Sequence, residues 1–370
     1  MSRLLVPPRL LFLYAPALLP LVLASCVARP INPTREVAPS PSVPPTAAPL
    51  PSATFPSPTP ALPSVSQLPC GEYMVVASRN LALGRAAGRQ LYSVLALPMP
   101  SGPPQLLAEG LDSGSALSPG GDKIAVPVLQ GPNYDTYQLD IHDLETRTVT
   151  PVPRHFPSDL FSWGHEGTTL LTSLRASDAH SCSEIVSVDY RSGDVHPLTD
   201  CCRVSPEASC YAATSSPDGK WIEFYLATGD QFGSPLTGAY LLESECTAQP
   251  PACMEYARGP FGYGEHAVWS NGSTQLAFAS GDHITLLDIA TSHATRLPSL
   301  ADSFIVSLAW SPDSTKIAFT QTADDATWLY VIDVATGAIE RLQQYGTADT
   351  HLLAWVATCS ALTSGGLTTR

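Results

Sequence analysis

A short phrase returns six times along this chain: an apolar strand ending in Trp or a stand-in, a polar turn, and a second apolar strand. The clearest copy is Trp310-Ser311-Pro312-Asp313-Ser314-Thr315-Lys316-Ile317-Ala318-Phe319. Others are Leu117-Ser118-Pro119-Gly120-Gly121-Asp122-Lys123-Ile124-Ala125-Val126, Ser216-Pro217-Asp218-Gly219-Lys220-Trp221-Ile222 and Trp269-Ser270-Asn271-Gly272-Ser273-Thr274-Gln275-Leu276-Ala277-Phe278. A degenerate copy starts at Trp163, and a truncated one ends the series at Leu352-Leu353-Ala354-Trp355. The interval is roughly 40–55 residues, the period of a propeller blade rather than of a helical solenoid.

The segments between the turns agree with that period. An Ile-Ala-Phe-like strand is succeeded by a variable loop, then by a strand such as Leu329 to Val334, a tight turn at Ala335-Thr336-Gly337 and a short last strand from Ile339 to Leu342. Short apolar runs punctuated by Gly, Asp and Ser are strand and turn signals. Four antiparallel strands per repeat make a blade, so the expected fold is all-β, a six-bladed β-propeller. The repeat at Trp355 has a first strand and no successors, whereas the first folded segment, Glu72 to Ala77, begins at a second strand. The C-terminal strand is therefore expected to complete the first blade.

The Trp-Ser-Pro-Asp turn followed by Lys-Ile-Ala-Phe resembles the repeat of TolB-like, WD-repeat-related propellers. The resemblance runs from Cys70 to the C-terminus, strongest at Trp310 and Ser216. It implies a six-bladed propeller used for protein binding. TolB itself carries an additional N-terminal domain and a partner-binding segment. Here a different N-terminus stands in that place, so TolB's own partners are not implied.

That N-terminus reads as a targeting and tethering device. Arg3 and Arg9 flank an apolar stretch, Leu10 to Leu23, interrupted by Pro16 and Pro20 and too short for a comfortable membrane span. It ends in Leu23-Ala24-Ser25-Cys26, which resembles a bacterial lipobox, with Cys26 as the lipid attachment point. This favours a lipoprotein signal over residues 1–25 rather than an ordinary signal peptide. Val27 to Leu68 is a Pro/Ser/Thr/Ala tract that cannot bury enough apolar surface to fold. As an extended spacer it would reach about 100 Å. The expected organisation is a signal over 1–25, a stalk over 26–68 bearing lipidated Cys26, and the propeller over 69–370.

Charge and cysteines narrow the setting. The formal net charge is −14, and loss of the two signal arginines takes it to −16. Such a domain repels phosphate backbones, which argues against a nucleic-acid partner. Nine cysteines in a secreted chain imply bridges. With Cys26 lipidated, eight remain. Cys70 and Cys359 fall in the turn between the first two strands of one blade and are expected to pair. Cys246 and Cys253 flank a Gln-Pro-Pro turn as a local staple. Of Cys201 and Cys202, one is expected to join Cys182 and the other Cys210. A zinc site using these with His180 and His196 lacks the usual ligand spacing, so no metal or cofactor is expected.

Strand order sorts the loops onto two faces. Connections after the second and fourth strands of each blade share one face, and the Ser-Pro-Asp-Gly turns share the other. The first face carries the long variable segments, and function tends to sit on such loops over a rigid scaffold. Its candidate binding residues are Tyr134, Asp135, Tyr137, Arg175, Asp230, Phe232, Phe261, Tyr263, Asp324 and Asp325, with Asp178 and His180 nearby. No Gly-x-Ser-x-Gly elbow, phosphate loop, His-Glu-x-x-His or EF-hand is present. Ser216 to Trp221 resembles the sialidase Asp box but is one residue short. The reading is a monomeric, lipid-anchored, extracytoplasmic scaffold that binds an envelope protein or polymer and has no catalytic residues. The alternative is a carbohydrate-active hydrolase or lyase with Asp135, Asp230 and Asp324 around the central channel.

Overall fold

The computed structural model describes residues 68–82, 90–111, 115–130, 136–158, 160–175, 182–205, 207–228, 236–245, 257–262, 265–298, 300, 304–323, 326–345 and 350–358. All belong to the compact unit Pro58–Arg370. Cys26 and the rest of the signal and stalk up to residue 67 lie outside the described residues. Among the described residues no helix is long and apolar enough to cross a membrane.

The fold is all-β. In chain order come β1 (Gly71–Arg79), β2 (Tyr92–Met99) and β3 (Gln105–Leu111). The second unit is β4 (Ala116–Leu117), β5 (Lys123–Gln130), β6 (Thr136–Asp143) and β7 (Val149–Phe156). The third is β8 (Phe161–Trp163), β9 (Thr169–Arg175), β10 (Ser183–Asp189) and β11 (Val195–Pro197). The fourth is β12 (Ser209–Ser215), β13 (Trp221–Ala227) and β14 (Gly238–Glu243), with an antiparallel bridge from Leu241 to Arg258 beyond it. The fifth is β15 (Glu265–Trp269), β16 (Gln275–Ser280), β17 (His283–Asp288) and β18 (His293–Arg296). The sixth is β19 (Phe304–Trp310), β20 (Lys316–Ala323), β21 (Ala326–Asp333) and β22 (Ile339–Tyr345), followed by β23 (Thr350–Thr358).

Four of the sheets have four strands, and the first is ordered β23-β1-β2-β3. The last strand thus completes the sheet begun by the first, with Gly71 opposite Thr358 and Met74 opposite Trp355. The Thr358 hydroxyl donates to the carbonyl oxygens of Pro69, at 2.6 Å, and Gly71, at 3.1 Å, fastening the two ends. Cys70, one residue outside that register, is disulfide-bonded. Its expected partner Cys359 lies outside the described residues, as do Cys246 and Cys253.

The third and fourth units depart from the simple pattern by merging into one seven-stranded sheet. β10 and β12 run parallel and touch at Ser183 and Ser209. The cause lies in the neighbouring cysteines. Cys182–Cys202 and Cys201–Cys210 are both disulfides, and the two middle cysteines share one 3-10 turn, Cys201–Arg203. Each bridge starts beside one of the bonded serines, so the strand ends are drawn together.

The turn phrase earns its recurrence through one buried hydroxyl. Ser118, Ser216, Ser270 and Ser311 are at most 4% exposed. Each Oγ accepts the backbone N–H five residues on, that of Lys123, Trp221, Gln275 or Lys316, at 2.9–3.0 Å. The Ser216 and Ser311 hydroxyls also donate to Asp218 and Asp313. At the far end of the third strand, Asp143, Asp189, Asp288 and Asp333 accept backbone N–H groups of the following turn. Short polar side chains satisfying local backbone groups are what make such turns reproducible.

The core lies between sheets. Alternate residues of one strand serve two interfaces: on β1, Tyr73, Val75 and Ala77 pack toward Ile124 and Val126, while Met74 and Val76 pack toward Ala318, Leu329 and Val331. On β16, Ala277 and Ala279 face the sixth unit and Leu276 and Phe278 face the fourth unit. Burial on both faces explains why these second strands read as unbroken apolar runs rather than alternating ones. Two of the repeat tryptophans add a bond between units: Trp163 Nε1 donates to the Ala116 carbonyl at 2.9 Å, and Trp310 Nε1 to that of Val268 at 3.0 Å.

Candidate functional site

The first strands of successive units touch in order: β4 against β8, β8 against β12, β12 against β15, β15 against β19, β19 against β23, and β23 against β4. A cavity of about 460 Å³ lies among them. It is lined by Ser115, by Leu160, Phe161 and Ser162, by Tyr211 to Thr214, by His266 and Ala267, by Val306 and Ser307, and by His351 to Leu353. Ala77 and Tyr92 complete the wall.

A repeated irregularity places these side chains. Pairing between the first two strands slips between Tyr211 and Thr214, between Glu265 and Val268, and between Ile305 and Ser307. The same slip on β23 leaves Leu353 without an opposite residue on β1. The extra residues of these bulges are Ala212 and Ala213, His266 and Ala267, Val306, and Leu353, and every one of them lines the cavity. A bulge adds a residue to one strand and re-aims the side chains beyond it, and bulges concentrate beside functional sites. Ala212 and His266 have φ of 54° and 58°, a left-handed conformation that costs a residue with a Cβ about 1–2 kcal/mol.

The lining holds two histidines, His266 and His351, and no Asp, Glu, Lys or Arg among the described residues of the wall. The Tyr92 and His351 rings lie 6.2 Å apart, and those of Tyr211 and Tyr225 5.2 Å apart. Ser307 is tied into the wall, accepting the Leu352 N–H at 2.7 Å across the junction of β19 with β23. Tyr211 also borders a second cavity of about 400 Å³ with Ser158, Ser173, Ser183, Glu207, Ser209 and Thr228. Among the described residues no group of three His, Cys, Asp or Glu is placed to hold a metal ion.

The large apolar side chains left exposed are distributed unevenly. Leu81, Leu160, Val204, Leu236 and Phe304 all lie on connections after a second or fourth strand, or at the start of the next first strand. That is the long-loop face, where the cavity-lining ends of the first strands also lie. Only Val149, among the described residues of this kind, is on the other face. Phe304 is 74% exposed, next to Ile305 and the cavity-lining Val306.

Of the binding residues expected from sequence, Tyr134, Asp135, Asp230, Phe232, Tyr263, Asp324 and Asp325 lie outside the described residues, with Asp178 and His180. Tyr137 is half-buried on β6, paired with Leu129 and Phe156. Arg175 is exposed at the end of β9, opposite Ser183. Phe261 is half-buried and packs against the cluster of Leu241, Trp269 and Phe278. The residues that sequence reasoning passed over are Tyr92, Phe161, Tyr211, His266 and His351. For Phe161, Tyr211, His266 and His351 the signal was position, a few residues before the Trp or Ser of the turn, but a bulge inverts the two-residue alternation by which facing is read; Tyr92, at the start of β2, carries no such mark.

No protein-family model matches the chain, and no curated protein matches it significantly. Among solved structures it is similar to TolB from Acinetobacter baumannii, at 16% identity and a TM-score of 0.53, over 77% of this chain and 66% of that one. The chain thus spans just under two thirds of that protein's length. It is also similar to a putative TolB from Agrobacterium tumefaciens, at 14% identity and a TM-score of 0.53, over 77% of this chain and 93% of that one. A chain of a nidogen/laminin complex matches at 10% identity and a TM-score of 0.52, over 78% of this chain and all of that one, 100%. At these identities the likeness concerns the fold, and the chain shares its all-β architecture with TolB-like β-propeller structures.

Proposed function

We propose that this chain is a six-bladed, lipid-anchored extracytoplasmic propeller that binds a protein through its long-loop face and the mouth of the central cavity, without catalysis. Counting β12 to β14 and the Arg258 bridge as a blade of their own gives six. The cyclic order of first-strand contacts supports a closed ring. So does the packing of Met74 and Val76 of the first unit against Ala318 and Val331 of the sixth unit. Disulfides at Cys182–Cys202 and Cys201–Cys210 support an oxidising compartment. The lipobox-like Leu23-Ala24-Ser25-Cys26 supports the anchor.

The observation that carries the binding reading is that the exposed large apolar side chains among the described residues fall mainly on one face, where Leu160 lines the cavity and Phe304 stands two residues from its lining residue Val306. Exposed apolar surface on a soluble domain marks an interaction site when it is gathered rather than scattered. The described residues of the wall supply no carboxylate, and the acids of the alternative reading, Asp135, Asp230 and Asp324, lie outside the described residues.

The test immobilises the mature chain under oxidising conditions and exposes it to fractionated envelope proteins and glycans. A discrete protein should be retained by wild type and lost from a Leu160→Glu, Phe304→Glu variant of unchanged Tm. Retention by that variant would move the site elsewhere. Turnover of a glycan with no protein bound would replace this reading by the enzymatic one.

A further inference from the structure

The second strand of the repeat places a small residue between two large ones. Ala125, Ala277 and Ala318 hold that place in three units, each fully buried. They pair with Ala116, Val268 and Ala309 on the neighbouring first strands. In the fourth unit the same place, opposite Thr214, is taken by Glu223, which is 1% exposed. On β13, Ile222, Phe224 and Leu226 face the third unit. Glu223 is on the opposite side, with its cross-strand partner Leu241, which packs against Trp269, Leu276 and Phe278 of the fifth unit. A carboxyl group thus stands in an apolar seam where three other units have a methyl, and the first and third have Val75 and Leu171.

The same seam holds a second departure from the repeat. Trp163 and Trp310 each donate to the carbonyl of the residue one place before the Trp position in the preceding unit. For Trp269 the corresponding residue is Thr214, the partner of Glu223, and that bond is not made. Glu223 Oε2 and Trp269 Nε1 are the two buried side-chain polar atoms without a hydrogen-bond partner among the described residues. An acceptor and a donor left over in one interface are mutually complementary, and native interiors leave few such atoms unpaired.

We propose that Glu223 and Trp269 hold one internal water molecule in a closed polar site between the fourth and fifth units, with the indole N–H donating to it and Thr214 supplying a third polar neighbour. Buried waters typically make two to four such bonds. A water and an indole do not neutralise an anion, and burial holds the Glu223 carboxyl well above its usual range, which favours its un-ionised form. The titratable and charged groups on the elements packed here are Tyr211 of β12, Tyr225 of β13 itself, Tyr240 and Glu243 of β14 with Arg258 beside them, Glu265 and His266 of β15, and His283 and Asp288 of β17; β16 has none. Burial is the cause of the shift, with no charged neighbour contributing. Because Thr214 and Ala267 line the central cavity, the site makes the cavity wall at this seam sensitive to alkali.

Linkage sets the sign. A carboxyl whose folded-state pKa is raised binds a proton that the unfolded chain has released, so stability falls as pH rises from the ordinary Glu value toward the folded one. Within that window the unfolding constant of the oxidised mature chain should rise by up to about tenfold per pH unit relative to Glu223→Gln. A high-resolution crystal structure of the same chain at neutral pH should show a water within hydrogen-bond reach of both Nε1 and the carboxyl. The infrared spectrum should show an un-ionised carboxylic acid band that Glu223→Gln removes. The band needs only folded wild type for its positive arm, so it stands even if the variant is unstable. A direct Trp269–Glu223 bond without water, a missing band, or parallel pH profiles would each overturn the proposal.

Discussion

Replacing Ser311 by Ala removes one oxygen atom and tests what holds the repeat's turn together. Ser311 is 2% exposed, and its Oγ accepts the Lys316 N–H at 2.9 Å while donating to Asp313 Oδ1 at 2.6 Å. Without it, the Lys316 N–H loses its partner, at a cost of about 1–3 kcal/mol. Asp313 retains the Thr315 N–H and hydroxyl, so its own loss is partly compensated. The expected destabilisation is about 2 kcal/mol. For a domain of this size that corresponds to a fall in Tm of about 4 °C. Denaturant unfolding of Ser311→Ala against wild type under oxidising conditions measures it. Ser270→Ala is an internal comparison, because Gly272 stands where the carboxylate would be, and it should cost less. The pH dependence has a definite sign. The Ser311 hydroxyl is the chief cause of the lowered Asp313 pKa. Stability from that carboxylate is present above the unfolded value of about 3.9 and is lost as pH falls through the lower folded value. The gap between wild type and Ser311→Ala should therefore be widest at neutral pH and narrow below about pH 4. A cost under about 0.5 kcal/mol, no greater than an ordinary surface change, would refute the argument.

Other perturbations reach the closure, the disulfides and the second turn. Trp355 is 8% exposed, packs with Met74, Val76 and Leu97, and donates to Glu72 Oε2 at 3.2 Å; Trp355→Ala should cost about 3–5 kcal/mol, read by thermal melting. Reduction of Cys201–Cys210 and Cys182–Cys202, which span 9 and 20 residues, should remove about 2.5 and about 3 kcal/mol in the chain-entropy model, read as a reductant-dependent fall in Tm. Hydrogen bonds from Thr336 hold the Asp333 carboxyl below its usual range; Asp333→Asn should therefore flatten the acid limb of the stability profile relative to wild type, and an unchanged limb would count against the turn's role.

The parts of this molecule that are legible from the residues alone are those set by neighbours in sequence. Ser311, Asp313 and Lys316 satisfy one another within six positions, so the turn appears as a motif wherever the repeat occurs. The pairing of β23 with β1 is legible because a first strand without successors and a second strand without a predecessor complete each other. The cavity is not. His266 and Ala267 reach it because the β15–β16 ladder slips by one residue, and no local pattern distinguishes that slip from regular alternation. Phe261, expected among exposed loop residues, is half-buried instead because the chain after Arg258 folds back along β14, where its N–H donates to the Ala239 carbonyl at 3.0 Å.

Sequence alone determined the strand repeat, its turn chemistry and the oxidising character implied by the cysteines, because each depends on residue types at short, regular spacing. Tertiary structure alone decided which of Cys201 and Cys202 pairs with Cys182 and which with Cys210, that the third and fourth units share a sheet, and which side chains meet at the cavity. It also put Glu223 in the seam that holds Trp269. These are contacts between segments dozens of residues apart, selected by burial and by bulges in the ladder, and neither leaves a periodic trace in the chain.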